Sequence, residues 1–199
     1  FSEGIIVTDV GQHQMWATQY IELNADKQFI TSGGLGTMGF GFPAAIGAKI
    51  GCPDQSVICI SGDGGMQMNI QELATAMAQE ANVIVCIFNN YYLGMGRQMQ
   101  QLFYGKRYEA TCLRRRKGCP KDCKGPGTAC PPYEPDFVKL AESYGACGIR
   151  VTKEEEIVPA LEKAKQCKTP VLIEFLIATE EIVLPMVKGG NPMTEMILK

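Results

Sequence analysis

The sequence contains no run of about 18 consecutive apolar residues, which excludes a membrane-spanning helix of ordinary length. Its first residues, "FSEGIIVTDV", have neither the basic start nor the long apolar stretch of a secretory leader, so a soluble, cytoplasmic protein is expected. There is little net charge: a balance of −2 gives no general attraction to nucleic acid or anionic membranes. Repeats and low-complexity tracts are also missing. What is present is an ordinary globular composition, 46% hydrophobic and 20% charged, in 199 residues, enough for one well-buried core and read here as a single domain, 1–199. The strand-like "GIIVTDV" begins almost at the first residue, which suggests a domain of a longer chain.

The familiar paired CxxC is another absence, although nine cysteines occur. Cys52, Cys59, Cys86, Cys147 and Cys167 are scattered among mostly apolar neighbours and read as small hydrophobes. Cys112, Cys119, Cys123 and Cys130 are different. They fall in "TCLRRRKGCPKDCKGPGTACPPYE", residues 111–134, a charged, Pro/Gly-rich stretch without periodicity that reads as an insertion. Three readings stay open for these four: a structural Zn²⁺ held by thiolates, disulfides, or free thiols. "LRRRK" beside them reads most simply as a solvated basic face, with a phosphate or subunit contact as the sharper alternative.

Elsewhere, short apolar runs alternate with helical patterns. Strands are predicted at 4–10, 28–32, 56–61, 82–88, 147–152 and 170–178, several apolar on every residue as in strands covered on both faces. Helices are predicted at 12–23, 41–50, 95–103, 135–144 and 153–166. Another follows the glycines at 62–65, with Ile70, Leu73, Ala74, Met77 and Ala81 on one face and "NIQE" as a capping box, Asn69 the cap and Glu72 three residues on. Such alternation implies an α/β three-layer sandwich: a parallel sheet of roughly six strands with helices on both faces. The last twenty residues read as a tail crossing the surface.

Ligands of such sheets sit at the carboxyl ends of strands. Asp63 follows "SVICIS" directly and Asn90 follows "NVIVCIF", so parallel strands bring both to one edge. The glycines at 62, 64 and 65 allow close backbone approach, and the following helix offers unpaired N–H groups to a phosphate. A carboxylate, an amide oxygen and a nearby carbonyl, with phosphate oxygens and water, satisfy the octahedral oxygen shell of Mg²⁺. Taken singly, Asp-Gly is a common turn and Asn-Asn a common strand exit; together they read as a metal-diphosphate site. A competing signal is "GGLGTMG", where Gly34, Gly36 and Gly39 form GxGxxG and Asp63 could serve as the ribose acid of a dinucleotide site.

The GDG motif, answered one helix and one strand later by the second Asn of an NN pair, resembles the diphosphate-binding motif of thiamine diphosphate (ThDP) enzymes. "GQHQMWA", "TSGGLGTMGFGFPAAIGA", "NNYYLGM", "QLFYGKRY" and "VLPMVKGGNPMTEMI" narrow the resemblance to the C-terminal, diphosphate-binding domain of the acetohydroxyacid synthase (acetolactate synthase) catalytic subunit. It runs from about residue 4 to the end, apart from the insertion. The resemblance implies Mg²⁺ bound by the side chains of Asp63 and Asn90 and the carbonyl of Tyr92. It implies diphosphate contacts from Gln12, His13 and the backbone at Gly64 and Gly65, and aminopyrimidine contacts from the backbone at Gly36 and Met38. Met68 would wedge between the two cofactor rings, with Met95 in contact; Gly62, Leu93 and Gly94 complete the cofactor-binding set. Met15, Met66 and Met77 are left as packing.

The activity so implied is decarboxylation of pyruvate and transfer of its hydroxyethyl unit to a second 2-keto acid, giving 2-acetolactate or 2-aceto-2-hydroxybutyrate in branched-chain amino-acid biosynthesis. Other ThDP enzymes, among them catabolic acetolactate synthase, glyoxylate carboligase and pyruvate oxidase, share the diphosphate motif; a non-catalytic dinucleotide-binding module is the alternative of a different class. Two positions depart from the family: Met99 stands where Trp is frequent on the substrate channel and herbicide site, and Gly65 where Ser is common. The family's activating Glu lies in an N-terminal domain of a partner subunit, so no catalytic residue is expected within these 199 residues and the fragment alone is expected to be inactive. FAD, a homodimer or tetramer and a regulatory small subunit are further implications for the whole enzyme.

Overall fold

The computed structural model describes residues 4–24, 28–120, 123, 130 and 135–198. Six strands form one parallel sheet: β1 (Ile5–Thr8), β2 (Phe29–Thr31), β3 (Val57–Gly62), β4 (Ile84–Asn89), β5 (Cys147–Val151) and β6 (Val171–Leu176), in the order β2-β1-β3-β4-β6-β5. Each of the six lies where the apolar runs place it. The reason is burial on both faces: β3 is buried at every residue, and such strands cannot alternate with polar positions.

The helices are α1 (Gln12–Tyr20), α2 (Gly41–Gly51), α3 (Asp63–Met68), α4 (Glu72–Ala78), α5 (Gly94–Phe103), α6 (Phe137–Ser143) and α7 (Ile157–Gln166). Two cores flank the sheet. On one face Val7, Val57, Val83, Val85 and Leu172 meet Phe42 and Ile46 of α2, Leu73 and Ala76 of α4 and Phe137 of α6. On the other, Ile6, Ile58, Ile84, Cys86 and Ile173 meet Ala17 of α1 and Ala160 and Ala164 of α7. Successive residues of β4 thus serve opposite cores, the period of two that a pleated strand imposes.

The helical stretch after the glycines differs from the expectation. It begins at Asp63 itself, breaks at Asn69 (φ −139°, ψ 39°) and restarts at Glu72. The capping box is not formed. Asn69 instead donates its amide to the Gly39 carbonyl at 2.7 Å, a tertiary bond that takes the side chain away from α4. Ala76, not Ala74, points to the core: Ala74 is exposed, while Leu73 and Ala76 are fully buried. Cys59 and Cys86 are buried as expected of small hydrophobes, but Cys52 is exposed. The tail adds no strand-helix unit among the described residues; a bridge pairs Met186 with Ile197, and Val183 is fully buried. Of the insertion, residues 121–122, 124–129 and 131–134 lie outside the described residues. No described helix is long and apolar enough to cross a membrane.

Candidate functional site

The chain leaves β1 for β2 on one side and returns to β3 on the other. Such a reversal opens a crevice at the carboxyl ends of the two strands. A cavity of about 460 Å³ lies there, within the roughly 300–1,000 Å³ usual for small-molecule sites. Gln12, His13, Gly36, Met38, Gly62, Asp63, Gly64, Gly65, Asn90, Tyr92, Leu93, Gly94 and Met95 all line it. Met68 does not: it is half exposed and lies against Gly39. Met15, read as packing, lines the cavity, as do Met99 and Trp16. Met66 is core and Met77 packs against it.

Asp63 and Asn90 arrive together because β3 and β4 pair in parallel, Gly62 opposite Phe88. Asp63 is buried, its Oδ1 accepting from the Gly64 N–H at 2.8 Å and its Oδ2 from the Tyr91 N–H at 2.7 Å. The same Tyr91 N–H donates to Asn89 Oδ1 at 3.0 Å, and Tyr91 itself holds a left-handed φ of 67°. Asn90 donates to Gln12 Oε1 at 3.3 Å and accepts from the Tyr92 N–H at 3.0 Å. The turn from 89 to 92 is therefore fixed from two sides.

Behind it stands a polar chain that sequence reading missed. Glu174 is buried in β6, accepts from Asn89 Nδ2 at 2.7 Å and pairs with Arg150 Nε at 2.7 Å. Gln12 is held likewise, donating to Gln98 Oε1 at 2.8 Å and to the Glu181 carbonyl at 3.0 Å. The tail is thus tied to the floor of the cavity, since Gln98 also exchanges hydrogen bonds with the backbone of Val183 at 2.8 and 2.9 Å.

Asp9 is the second residue missed. It ends β1 as Asp63 ends β3, and its carboxylate accepts from the N–H groups of Val10 (2.8 Å), Gly39 (3.1 Å) and Gly41 (2.8 Å). An acid at a strand's carboxyl end was the available signal, but no glycine follows it directly to complete a motif. Asp9 holds the glycine-rich loop between β2 and α2 against the crevice. That arrangement removes the dinucleotide reading. β1 separates β2 from β3, so Asp63 is not on the strand beside the glycine-rich loop, where a ribose acid must stand.

His13 is buried between Gly11 and Gly62; a Cβ at Gly62 would come within 3.1 Å of its ring. One ring N–H donates to the Asp9 carbonyl, while Nε2 has no partner among the described residues. Burial lowers its pKa from 6.5 to about 4, against the opposing influence of Asp9. The imidazole is neutral at pH 7. On unfolding it binds a proton at any pH between about 4 and 6.5, so stability is complete above 6.5 and declines as pH falls toward 4. The decline amounts to about 3 kcal/mol. Urea titrations of the wild type and His13→Gln between pH 7 and pH 4 check this: the substituted protein should lose less stability over that interval, and parallel curves would refute the assignment.

The residues suit a metal-bound diphosphate. Asp63 and Asn90 bring oxygen donors to one wall, the unpartnered His13 nitrogen stands on another, and Gly94 leaves room that a Cβ would fill by running into the Gln12 amide oxygen. Among the described residues no three His, Cys, Asp or Glu side chains form a ready ligand set, as fits an ion whose remaining ligands come from a carbonyl, phosphate and water.

Fold and site together define a parallel α/β cofactor-binding domain with a diphosphate-type cleft at its topological switch point. Residues 9–175 match the thiamine pyrophosphate enzyme C-terminal TPP binding domain; the chain belongs to that family. A probable acetolactate synthase large subunit from Methanococcus aeolicus is 47% identical over 193 residues, covering 97% of this chain and 29% of that protein. The acetolactate synthase isozyme 2 large subunit of Escherichia coli (strain K12) is 40% identical over 195 residues, 98% of this chain and 32% of that protein. Among solved structures, a thiamine diphosphate-dependent 4-hydroxybenzoylformate decarboxylase from Rhodococcus jostii RHA1 superposes with a TM-score of 0.74 at 27% identity, covering 90% of this chain and 30% of that one. The chain therefore spans about a third or less of the length of these proteins.

Proposed function

We propose that this domain anchors thiamine diphosphate through Mg²⁺ in a carboligase that makes 2-acetolactate or 2-aceto-2-hydroxybutyrate from 2-keto acids. The observation that carries the reading is the convergence of His13, from the first turn of α1, with Asp63 and Asn90, from the ends of β3 and β4, on one cavity of about 460 Å³. Asp63 and Asn90, with the Tyr92 carbonyl, hold the ion; Gln12, His13 and the Gly64 and Gly65 backbone orient the diphosphate; Gly36 and Met38 face the aminopyrimidine. Leu93, Gly94 and Met95 complete the wall. Once bound, thiamine diphosphate supplies the electron sink for decarboxylation and carbon–carbon bond formation. This chain's own work is to bind, orient and exclude water.

The substrate class rests on the relatives, which carry the acetolactate synthase name over nearly the whole of this chain. In that reading the activating Glu comes from an N-terminal domain of a partner subunit, FAD binds elsewhere in the full-length enzyme, and a homodimer or tetramer with a regulatory small subunit works in the cytoplasm. These 199 residues alone form no acetolactate.

Calorimetry on the full-length protein tests the reading. Thiamine diphosphate should bind only when Mg²⁺ is present, and NAD should not bind. Absence of Mg²⁺-dependent thiamine diphosphate binding would overturn it.

A further inference from the structure

Directly behind the turn at 89–92 lies a second, smaller cavity of about 20 Å³, and Cys112, Cys119, Cys123 and Cys130 all line it. We infer that these four thiols form a structural Zn²⁺ site that pins the insertion to the back of the cofactor turn. This proposal rests on the cofactor reading only for what the knot braces, not for its chemistry.

The backbone brings the cysteines inward through successive tight turns. Arg115 N–H donates to the Cys112 carbonyl at 3.4 Å, Cys119 N–H to the Arg116 carbonyl at 3.0 Å, and Cys123 N–H to the Pro120 carbonyl at 3.2 Å. One cysteine starts the first turn and others end the next two. The central spacing, three residues between Cys119 and Cys123, falls in the range of zinc-binding loops. Cys119 Sγ accepts the Arg116 N–H at 3.2 Å, which fixes the sulfur at the end of its turn.

Charge points the same way. Four thiolates around one divalent ion leave two net negative charges, and Arg97, Arg114 and Arg115 line the same small cavity. The guanidinium groups of Arg97 and Arg114 lie 4.4 Å and 3.6 Å over the rings of Tyr92 and Tyr91. Arg97 already pairs with Glu180 at 2.6 Å, so the wall supplements that carboxylate with a positive field that suits an anionic metal–thiolate centre. The sulfurs line the cavity without forming a finished ligand set, so the ion completes the site by drawing them to about 2.3 Å.

The knot also has a place to act. Cys112 pairs with Tyr92 across an antiparallel bridge, Leu93 N–H donates to the Thr111 carbonyl at 2.8 Å and Leu113 N–H to the Tyr91 carbonyl at 3.0 Å. The Tyr92 side chain hydrogen-bonds to Cys112. Tyr92 thereby lines both cavities.

The test uses the natural full-length chain, purified under reducing conditions without chelator. Elemental analysis should find one zinc per chain, and titration with an organomercurial should release it, measured with pyridylazoresorcinol, as the four insertion thiols react in addition to exposed ones such as Cys52. Cys119→Ser combined with Cys123→Ser should lower zinc to below about a tenth of that content. Because this variant could fail to fold, the wild-type release measurement stands on its own. Stripping the zinc should also speed tryptic cleavage at Arg114–Lys117 on the order of tenfold. Protein that is metal-free with the insertion thiols titratable, that carries iron instead, or that shows these cysteines as disulfides by mass overturns the proposal. The zinc content decides it whatever the protein does with thiamine diphosphate, so failure of one reading is distinguishable from failure of the other.

Discussion

Asp63→Ala in the full-length protein is expected to lower affinity for the Mg²⁺–thiamine diphosphate pair by on the order of 100-fold or more. Loss of outer-sphere partners already costs roughly 10–100-fold in metal affinity, and loss of a charged ligand should exceed that. Asp63 is the one carboxylate among the proposed ligands, so its removal takes away the charge as well as an oxygen. In the ligand-free protein the change is mild. The Gly64 N–H loses its acceptor and the Tyr91 N–H keeps only Asn89 Oδ1, costing about 1–3 kcal/mol, while a buried carboxylate no longer has to be desolvated. The two effects oppose each other. Thermal melting separates stability from binding: at ligand a hundredfold above Kd the wild type gains about 2.7 kcal/mol, and Asp63→Ala should gain almost nothing. Asp63→Asn keeps the shape without the charge. If it retained full Mg²⁺-dependent stabilisation, the proposed role of Asp63 as a charged ligand would fail.

The sheet was legible in the sequence because strands covered on both faces must be largely apolar, as β3 is through Ile60 and β4 through Phe88. The order of strand ends then brought Asp63 and Asn90 together without knowledge of any side-chain contact. Asn69 was misread for the opposite reason. Its preference for a helix cap is local, but the Gly39 carbonyl takes its amide from thirty residues away, and tertiary bonding overrides propensity. Asp9 carries no neighbouring motif, and its role exists only once the loop at Gly39 and Gly41 folds back onto it. Glu174 was hidden inside the apolar run "PVLIEFLIA", where nothing announces that Asn89 and Arg150 will reach it. A matching string located Met68, yet its side chain lies half exposed beside Gly39 and outside the cavity.

The same substitution at two glycines of α2 should have opposite effects. A Cβ on Gly41 would sit 2.6 Å from the Asp9 backbone nitrogen and 2.9 Å from its Cα. Those atoms are main chain at the end of β1 and cannot rotate away. The Asp9 N–H is itself bonded to the Ile60 carbonyl at 2.8 Å, and the Gly41 N–H to Asp9 Oδ2 at 2.8 Å. Gly41→Ala therefore pushes α2 off the sheet or breaks the bonds that seat the glycine-rich loop, with a cost of about 3 kcal/mol, at the upper end of overpacking. Gly47 is exposed in the same helix, with nothing within 4 Å of its virtual Cβ. There alanine only restricts the unfolded chain and favours the helix, so Gly47→Ala should stabilise by about 0.5–1 kcal/mol. Urea midpoints of the two variants against the wild type test both signs. Because Asp9 holds Gly39 as well as Gly41, the Gly41→Ala protein should also bind thiamine diphosphate more weakly under conditions where it remains folded, whereas Gly47→Ala should bind as the wild type does. If Gly41→Ala matched the wild type in both stability and binding, the close seating of α2 on the end of β1 would not be what holds the cofactor loop in place.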